Sequence, residues 1–288
     1  MTTPEVSVII VNYNAGDELE QALQSIAADL AQREWEAVVV DNASSDDSSA
    51  SVARFAPRAR VLRNDQNVGF ARGVNQGLTA TSAPVVLIIN PDCRLVAGAF
   101  DCLLDELGRS SCAIVGPRIL NPDGSAQGSA RGDPDMLTGL FGRTSVLRRL
   151  LPNSAASKRN VVVDADGEER TSRTVDWLSG ACLLARRDVL STVRGFDERY
   201  FLYWEDADLC RRIRALGYQV RYVPAATAVH RVGHSSRDGR AAAIRAFHES
   251  AYLYYAIHVA PRAFFKRALA RVLLKVRCRV RVALAARR

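Results

Sequence analysis

Four short runs, at residues 6–11, 37–40, 60–63 and 85–89, constrain this chain most, because they are apolar and mostly β-branched, and each stops abruptly at Asn or Asp. They begin roughly 25 to 30 residues apart with polar or amphipathic segments between them, which is the spacing of β-α units in a parallel sheet. The stops are Asn12-Tyr13-Asn14, Asp41-Asn42, Asn64-Asp65 and Asn90-Pro91-Asp92. In an open parallel sheet the carboxyl ends of the strands border the ligand crevice, so these stops are expected to converge on one site. Ser45-Asp46-Asp47-Ser48 offers capping groups before a helix over 50–55.

A fifth strand is predicted at 113–115. Residues 118–173 then hold many Gly, Pro, Asn and Asp, with one apolar stretch at 136–151 that suits a helix, and read as an inserted loop region. Regular patterning returns with strands at 174–177 and 181–185, a helix at 206–216, a strand at 219–223 and a helix at 240–257. The 288 residues, 48% hydrophobic and 24% charged, suffice for a sizeable core and exclude a disordered chain. Six scattered cysteines with no C-x-x-C pair exclude a zinc cage or a disulfide framework by spacing and suit a reducing compartment. No apolar run approaches the roughly 18 residues that span a bilayer. The opening MTTPEVSVIIV lacks the pattern of a secretory signal, so a cytoplasmic location is expected.

Charge is unevenly placed. Residues 262–288 hold ten Lys or Arg and no acid, so the net +8 divides into a cationic tail and a body of net −2.

Five groups carry the candidate chemistry. Asp41 ends a buried run, where its carboxylate can accept a hydrogen bond from a base edge with Asn12, Asn14 and Asn42 nearby; the plainer reading is an Asx-turn. Asp92 closes Asn90-Pro91-Asp92 after the most apolar run, a place for a divalent cation whose other ligands are phosphates and water, or simply a turn aspartate. Tyr203-Trp204-Glu205-Asp206-Ala207-Asp208 opens a helix with three acids, which the helix dipole favours whatever the function, but which also offers a general base. His230 stands in a loop with His234, as a ligand or as an ordinary surface histidine. Asn67-Val68-Gly69-Phe70-Ala71-Arg72 opens a helix in a way that lets phosphates or sugar hydroxyls approach, without matching a Gly-rich nucleotide fingerprint.

Together and in this order, the chain resembles the family 2 glycosyltransferases with the GT-A fold, in particular bacterial rhamnosyltransferase-like members, over about residues 5–237. The resemblance rests on Val8-Ile9-Ile10-Val11-Asn12-Tyr13-Asn14, Val40-Asp41-Asn42-Ala43-Ser44, Asn67-Val68-Gly69-Phe70-Ala71, Asn90-Pro91-Asp92, Trp177-Leu178-Ser179-Gly180-Ala181, Gly195-Phe196-Asp197-Glu198, the segment 201–208 and the His230 loop. It implies an α/β fold with a Rossmann-like, mostly parallel central sheet flanked by helices. A domain 1–260 would comprise a nucleotide-sugar-binding half (1–117), a variable loop region (118–173) and an acceptor or catalytic half (174–260), followed by a basic amphipathic segment, 261–288.

By position, the resemblance implies that Asp41 reads the pyrimidine base of the donor beside Asn12, Asn14 and Asn42. Gly69, Arg72 and Asn75 would line the nucleotide-sugar pocket. Asp92 would hold Mg2+ or Mn2+ on the diphosphate beside Asn90, with His230 as second protein ligand. Asp206 would be the general base, with Glu205 its nearest rival, and Arg211 or Arg212 would steady the leaving diphosphate. Trp177, Gly180 and Trp204 would face the acceptor. The reaction implied is a single in-line displacement that inverts the anomeric centre. The metal motif common in this fold is Asp-x-Asp; Asn90 in its first position is shared by rhamnosyltransferase-like members and points to a dTDP-linked 6-deoxyhexose such as rhamnose.

Wound as a helix, the tail gathers Phe265, Leu269, Val272, Leu273, Val276, Val280 and Ala283 on about a third of its circumference, with Arg267, Arg271, Lys275, Arg277 and Arg281 mostly outside it. That pattern suits a helix lying on an anionic inner-leaflet surface and hence a polyprenyl-diphosphate-linked saccharide acceptor and a peripheral place at the inner face of the plasma membrane. Two other readings are that the stripe packs on the body, or that the alternation over 275–282 forms a strand. Competing functions are a sugar nucleotidyltransferase, which lacks its phosphate loop here, a nucleic-acid-binding protein using the basic tail nonspecifically, which leaves residues 205–208 unexplained, and an inactive nucleotide-sugar binder.

Overall fold

The computed structural model describes residues 3–109, 111–133, 171–231 and 240–286. The predicted helix at 136–151 and the residue His234 lie outside them. The strands are β1 Val6–Asn12, β2 Trp35–Asp41, β3 Ala59–Arg63, β4 Val85–Ile89, β5 Cys93–Leu95, β6 Cys112–Leu120, β7 Ala130–Arg131, β8 Arg173–Thr174, β9 Trp177–Leu178, β10 Cys182–Arg186 and β11 Gln219–His230. The helices are α1 Glu18–Asp29, α2 Phe70–Ala80, α3 Ala99–Leu107, α4 Arg187–Thr192, α5 Glu205–Ala215, α6 Arg240–Tyr254 and α7 Phe264–Ala285.

One sheet runs in the order β3-β2-β1-β4-β10-β6-β11-β5, with β8 beside β11; β7 and β9 form a separate pair. It is parallel through β3-β2-β1-β4 and again at β6-β11, and antiparallel where β10 joins β4 and β6. The halves 1–117 and 174–260 therefore share one sheet, with β10 of the second inserted between two strands of the first. Covered on both faces, β1 is buried throughout, as its unbroken apolar run requires. Val6, Val8 and Ile10 meet α1 and α3 on one face, while Ile9 and Val11 meet α2 on the other. Each fully buried Val, Leu or Ile contributes about 1.5–3 kcal/mol of burial free energy.

Helix α2 lies unusually close to the sheet. A Cβ on Gly77 would stand 2.5 Å from Ile9 Cγ2, and one on Gly73 2.9 Å from Val11 Cγ1. Both glycines disfavour an isolated helix but let this one approach β1, bringing its first turn to the strand ends.

The predicted helix at 50–55 is a 3-10 helix, Ser48–Phe55, and the predicted strand at 174–177 is split into β8 and β9. The strand at 219 runs on to His230 through a break in register between Val223 and Thr227, which carries the chain from the core out to the crevice. The tail is helix α7, so the strand alternative for 275–282 is excluded. Its apolar stripe does not pack on the body either: Phe265, Val272 and Val276 are 86%, 59% and 55% exposed. Instead α7 packs on α6 through its other face, where Ala270 and Leu274 are buried.

Candidate active site

Register places Asn12 directly beside Asp41 at the ends of β1 and β2. The Asn12 amide donates to Asp41 Oδ1 (2.8 Å), Ser44 Oγ (3.1 Å) and Ser48 Oγ (2.8 Å), and its own Oδ1 is buried without a partner. Asp41, 3% exposed, also accepts the Ser44 hydroxyl on Oδ1, leaving Oδ2 with Arg63 at 4.0 Å. Asn14, at φ +53°, accepts the Ser45 N–H and takes Ser44 Oγ on its own N–H. Asn42 donates to the Gly69 carbonyl and accepts from Asn64. Strand ends that the sequence separates thus form one hydrogen-bonded wall, in which Asn12, Asn14 and Asn42 hold the loops and Asp41 keeps one oxygen uncommitted to a hydrogen bond.

Gly69 closes the next side. At φ +87°, a Cβ there would meet the Phe201 carbonyl at 2.5 Å, and the Phe70 N–H donates to that same carbonyl. Only glycine permits this approach of α2 to the loop before α5. Asn75 does not line the crevice as the sequence suggests: its amide is spent on the Phe196 N–H and carbonyl and on Glu198. Arg72 is exposed, 3.9 Å from Glu198, on the same outward side. Asn75 is thus corrected to a support of the 195–198 loop, while Arg72 stays exposed beside it.

Asp92 and His230 meet where β5 pairs with β11, Nε2 lying 3.1 Å from Asp92 Oδ1 and 3.3 Å from Asn90 Nδ2. His230 Nδ1 faces Gln127 Oε1 at 2.9 Å, while the Gln127 amide nitrogen donates to the His230 carbonyl and to Asn121. This network assigns the proton to Nδ1. The Nε2 lone pair, which the Asn90 amide also approaches, and Asp92 Oδ1 then stand side by side, two acceptors that a divalent cation would satisfy. No group of three or more His, Cys, Asp or Glu suited to a metal occurs among the described residues. The pair therefore fits an ion that takes its remaining ligands from a diphosphate and water. Buried Glu18 braces this hook, accepting from Arg94 and Arg231, both at 2.8 Å, while the Arg231 N–H donates to the Asp92 carbonyl.

Asp206 is half-buried in the first turn of α5, its Oδ2 taking the Gly180 N–H at 2.9 Å and its Oδ1 the Ala207 N–H at 2.8 Å. Phe70, next to Gly69, borders Gly180, so the base candidate stands where the donor wall meets the 177–180 segment. Burial raises its carboxyl above the usual aspartate range, opposed by the N–H groups of Gly180 and Ala207 and by the charge of Arg131. Glu205 is pushed well up by complete burial and then by the charge of Asp206, and its Oε2 has no partner. Of the two, Asp206 is the carboxylate whose oxygens both accept N–H groups. Trp177 donates Nε1 to the Gly132 carbonyl, and Trp204 packs on Tyr254.

Arg211 and Arg212 are also corrected. Arg212 donates to Asp208 and to the carbonyls of Val193 and Gly195, and Arg211 to Tyr254 and the His258 carbonyl. Their positions on α5 turn them to its supporting elements. Sequence reasoning missed Gln127, which orients His230, and Arg131, whose guanidinium carbon lies 4.8 Å from the centre of the Trp177 ring and whose charge reaches Asp206. Both stand in the Gly- and Asn-rich stretch read as loop, where only their polarity marked them.

A family model described as Glycosyl transferase family 2 matches residues 7–173, and one described as Glycosyl transferase family group 2 matches 148–269. An N-acetylglucosaminyl-diphospho-decaprenol L-rhamnosyltransferase of Mycobacterium tuberculosis is 34% identical over 269 residues, 88% of this chain and 85% of the relative. Rhamnosyltransferase WbbL of Escherichia coli is 40% identical over 82 residues, 28% of this chain and 31% of the relative. GalNAc-T7, solved with UDP, GalNAc and Mn2+, superposes with a TM-score of 0.62 at 15% identity, covering 95% of this chain and 55% of that one. The mannosyltransferase PcManGT of Pyrobaculum calidifontis, solved with GDP-Man and Mn2+, gives 0.60 at 18% identity, covering 99% and 74%. The architecture is that of the GT-A fold.

Proposed function

Because the chain belongs to glycosyltransferase family 2, we propose that it transfers L-rhamnose from dTDP-rhamnose to a polyprenyl-diphosphate-linked saccharide with inversion at the anomeric carbon. The observation that carries this reading is Asp206, a carboxylate raised by burial yet held by two N–H groups where the donor wall meets the 177–180 segment. In the reaction, Asp206 takes the acceptor hydroxyl proton as that oxygen attacks, with the leaving diphosphate on the opposite side of the sugar. One carboxylate suffices, since no sugar-enzyme intermediate forms. Asp41 Oδ2 receives the base of the nucleotide, and Arg131 is a cation whose charge reaches the base carboxylate. Asp92 and His230 would hold Mg2+ or Mn2+, which when bound offsets charge on the diphosphate. The relative with an acceptor named as N-acetylglucosaminyl-diphospho-decaprenol supports the choice of acceptor.

The lipid-linked acceptor fits the C-terminal helix. Among the described residues no helix is long and apolar enough to cross a membrane. Helix α7 instead exposes a stripe from Phe264 and Phe265 to Leu284, flanked by Arg and Lys, which suits the interface of an anionic inner leaflet and a peripheral, cytoplasmic-side enzyme. A nucleic-acid surface would present its cations without this apolar centre.

The test is transfer from a panel of dTDP-, UDP- and GDP-sugars to a GlcNAc-diphospho-prenol with Mg2+ or Mn2+, the product's anomeric configuration being read by NMR. Selective use of dTDP-rhamnose with inversion is expected. Transfer from another donor, or a retained configuration, overturns the donor or the mechanism, and no turnover of any sugar overturns the reading.

A further inference from the structure

The C-terminal hairpin meets α5 through polar contacts centred on His258 and through an aromatic cluster. His258, in the π-helical turn Tyr255–Val259 that ends α6, places Nε2 2.6 Å from Asp208 Oδ1, and its carbonyl accepts from Arg211 Nη2 at 3.2 Å. Both partners belong to α5, within two turns of Asp206. Asp208 is 1% exposed, and its other oxygen accepts Arg212 Nε at 2.7 Å. Arg212 in turn holds the Val193 and Gly195 carbonyls, at the loop that Asn75 of α2 clamps. A chain of polar contacts thus runs from the hairpin through α5 to α2.

A second link is aromatic. The rings of Tyr254 and His258 are 4.8 Å apart, and Tyr254 is 5.3 Å from Trp204, which Phe247 of α6 also touches. Tyr203 and Trp204 are at φ +68° and +71°, left-handed conformations that bulky residues hold only when their surroundings impose them. The hairpin supplies those surroundings, two residues before Asp206.

Without His258, Asp208 Oδ1 is a buried carboxylate oxygen stripped of its donor, and a shift of the turn that carries Asp206 would relieve it. We propose that His258 is a positioning residue for Asp206: it fastens the α6–α7 hairpin to α5, so that turnover depends on a docked hairpin. This rests on the reading of Asp206 as the base.

The test uses the full chain with His258→Phe, which keeps a ring against Tyr254 but removes the donor, and His258→Gln, which restores a donor. In His258→Phe, kcat is expected to fall about 10- to 100-fold with the donor KM within about twofold, and His258→Gln to recover most of it. Hydrogen exchange of residues 205–212 should quicken in His258→Phe and not in His258→Gln, while the β1–β4 amides stay as in the wild type. An unchanged kcat, or equal losses in both variants with faster exchange throughout, overturns the proposal. If the wild type transfers no sugar, the functional reading fails while exchange still decides the link: quickening confined to 205–212 supports it, and identical exchange refutes it.

Discussion

At the carboxyl ends of β1 and β2 the Asn12 amide donates to Asp41, Ser44 and Ser48, Ser44 also takes the Asn14 N–H, and the Asn42 side chain ties in Gly69 and Asn64, whereas α7 turns Phe265, Leu269 and Val276 to solvent and packs through its smaller face. The first region is organised by its own hydrogen bonds, and in the proposed function a nucleotide completes it. The second leaves its largest apolar area exposed to solvent. A closed polar network thus stands near one end of the chain and an exposed apolar stripe at the other, with α6 between that stripe and α5.

Four changes separate these roles, in descending size. Asp206→Asn should lower kcat by about 10²- to 10⁴-fold in a transfer assay, with nucleotide-sugar affinity by calorimetry unchanged. Asp92→Ala should weaken Mn2+ binding, followed by electron paramagnetic resonance in the presence of nucleotide diphosphate, by at least about 100-fold. Asn12→Ala should destabilise the fold by about 2–3 kcal/mol in urea, since three hydrogen bonds go and Asp41 loses a buried donor. Leu269→Ser with Val276→Ser should release the protein from anionic vesicles in a flotation assay while stability changes by no more than about 0.5 kcal/mol. Equal loss of stability in the last two would erase the contrast between the regions.

The pH profile sharpens it further. Asp206 works ionised, and burial raises its carboxyl, so kcat/KM should rise with pH along a limb above the ordinary aspartate value of about 3.9, activity being lost as pH falls through the raised value. The Arg131 charge lowers that value, so Arg131→Ala should move the limb to higher pH.

The first four strands were legible because each is an apolar run with a polar stop, and their stops do converge. The position of β10 was not, because the run at 182–186 says nothing about which strands it will lie between. Asn75, Arg211 and Arg212 were misplaced for a related reason: periodicity gives the face a residue shares, not what that face meets. Asp92 and His230 were legible as candidates, but their pairing depends on β11 continuing past its break at 223–227 to meet β5. Helix and strand were both open for the tail because its apolar residues satisfy either period. The helical outcome, packed through Ala270 and Leu274, needed α6 to decide it.

The placement of β10 bears on how the protein is made. Residues 85–89 leave the ribosome well before residue 182, so during synthesis one edge of β4 waits unpaired for about 5–20 s at ordinary elongation rates of 5–20 residues per second. For that interval the nascent chain presents Val86, Leu87 and Ile88 on an open apolar edge, the kind of template that recruits strands from other chains. Slowing translation between β4 and β10 is therefore a way to lower the yield of folded enzyme without altering a single side chain.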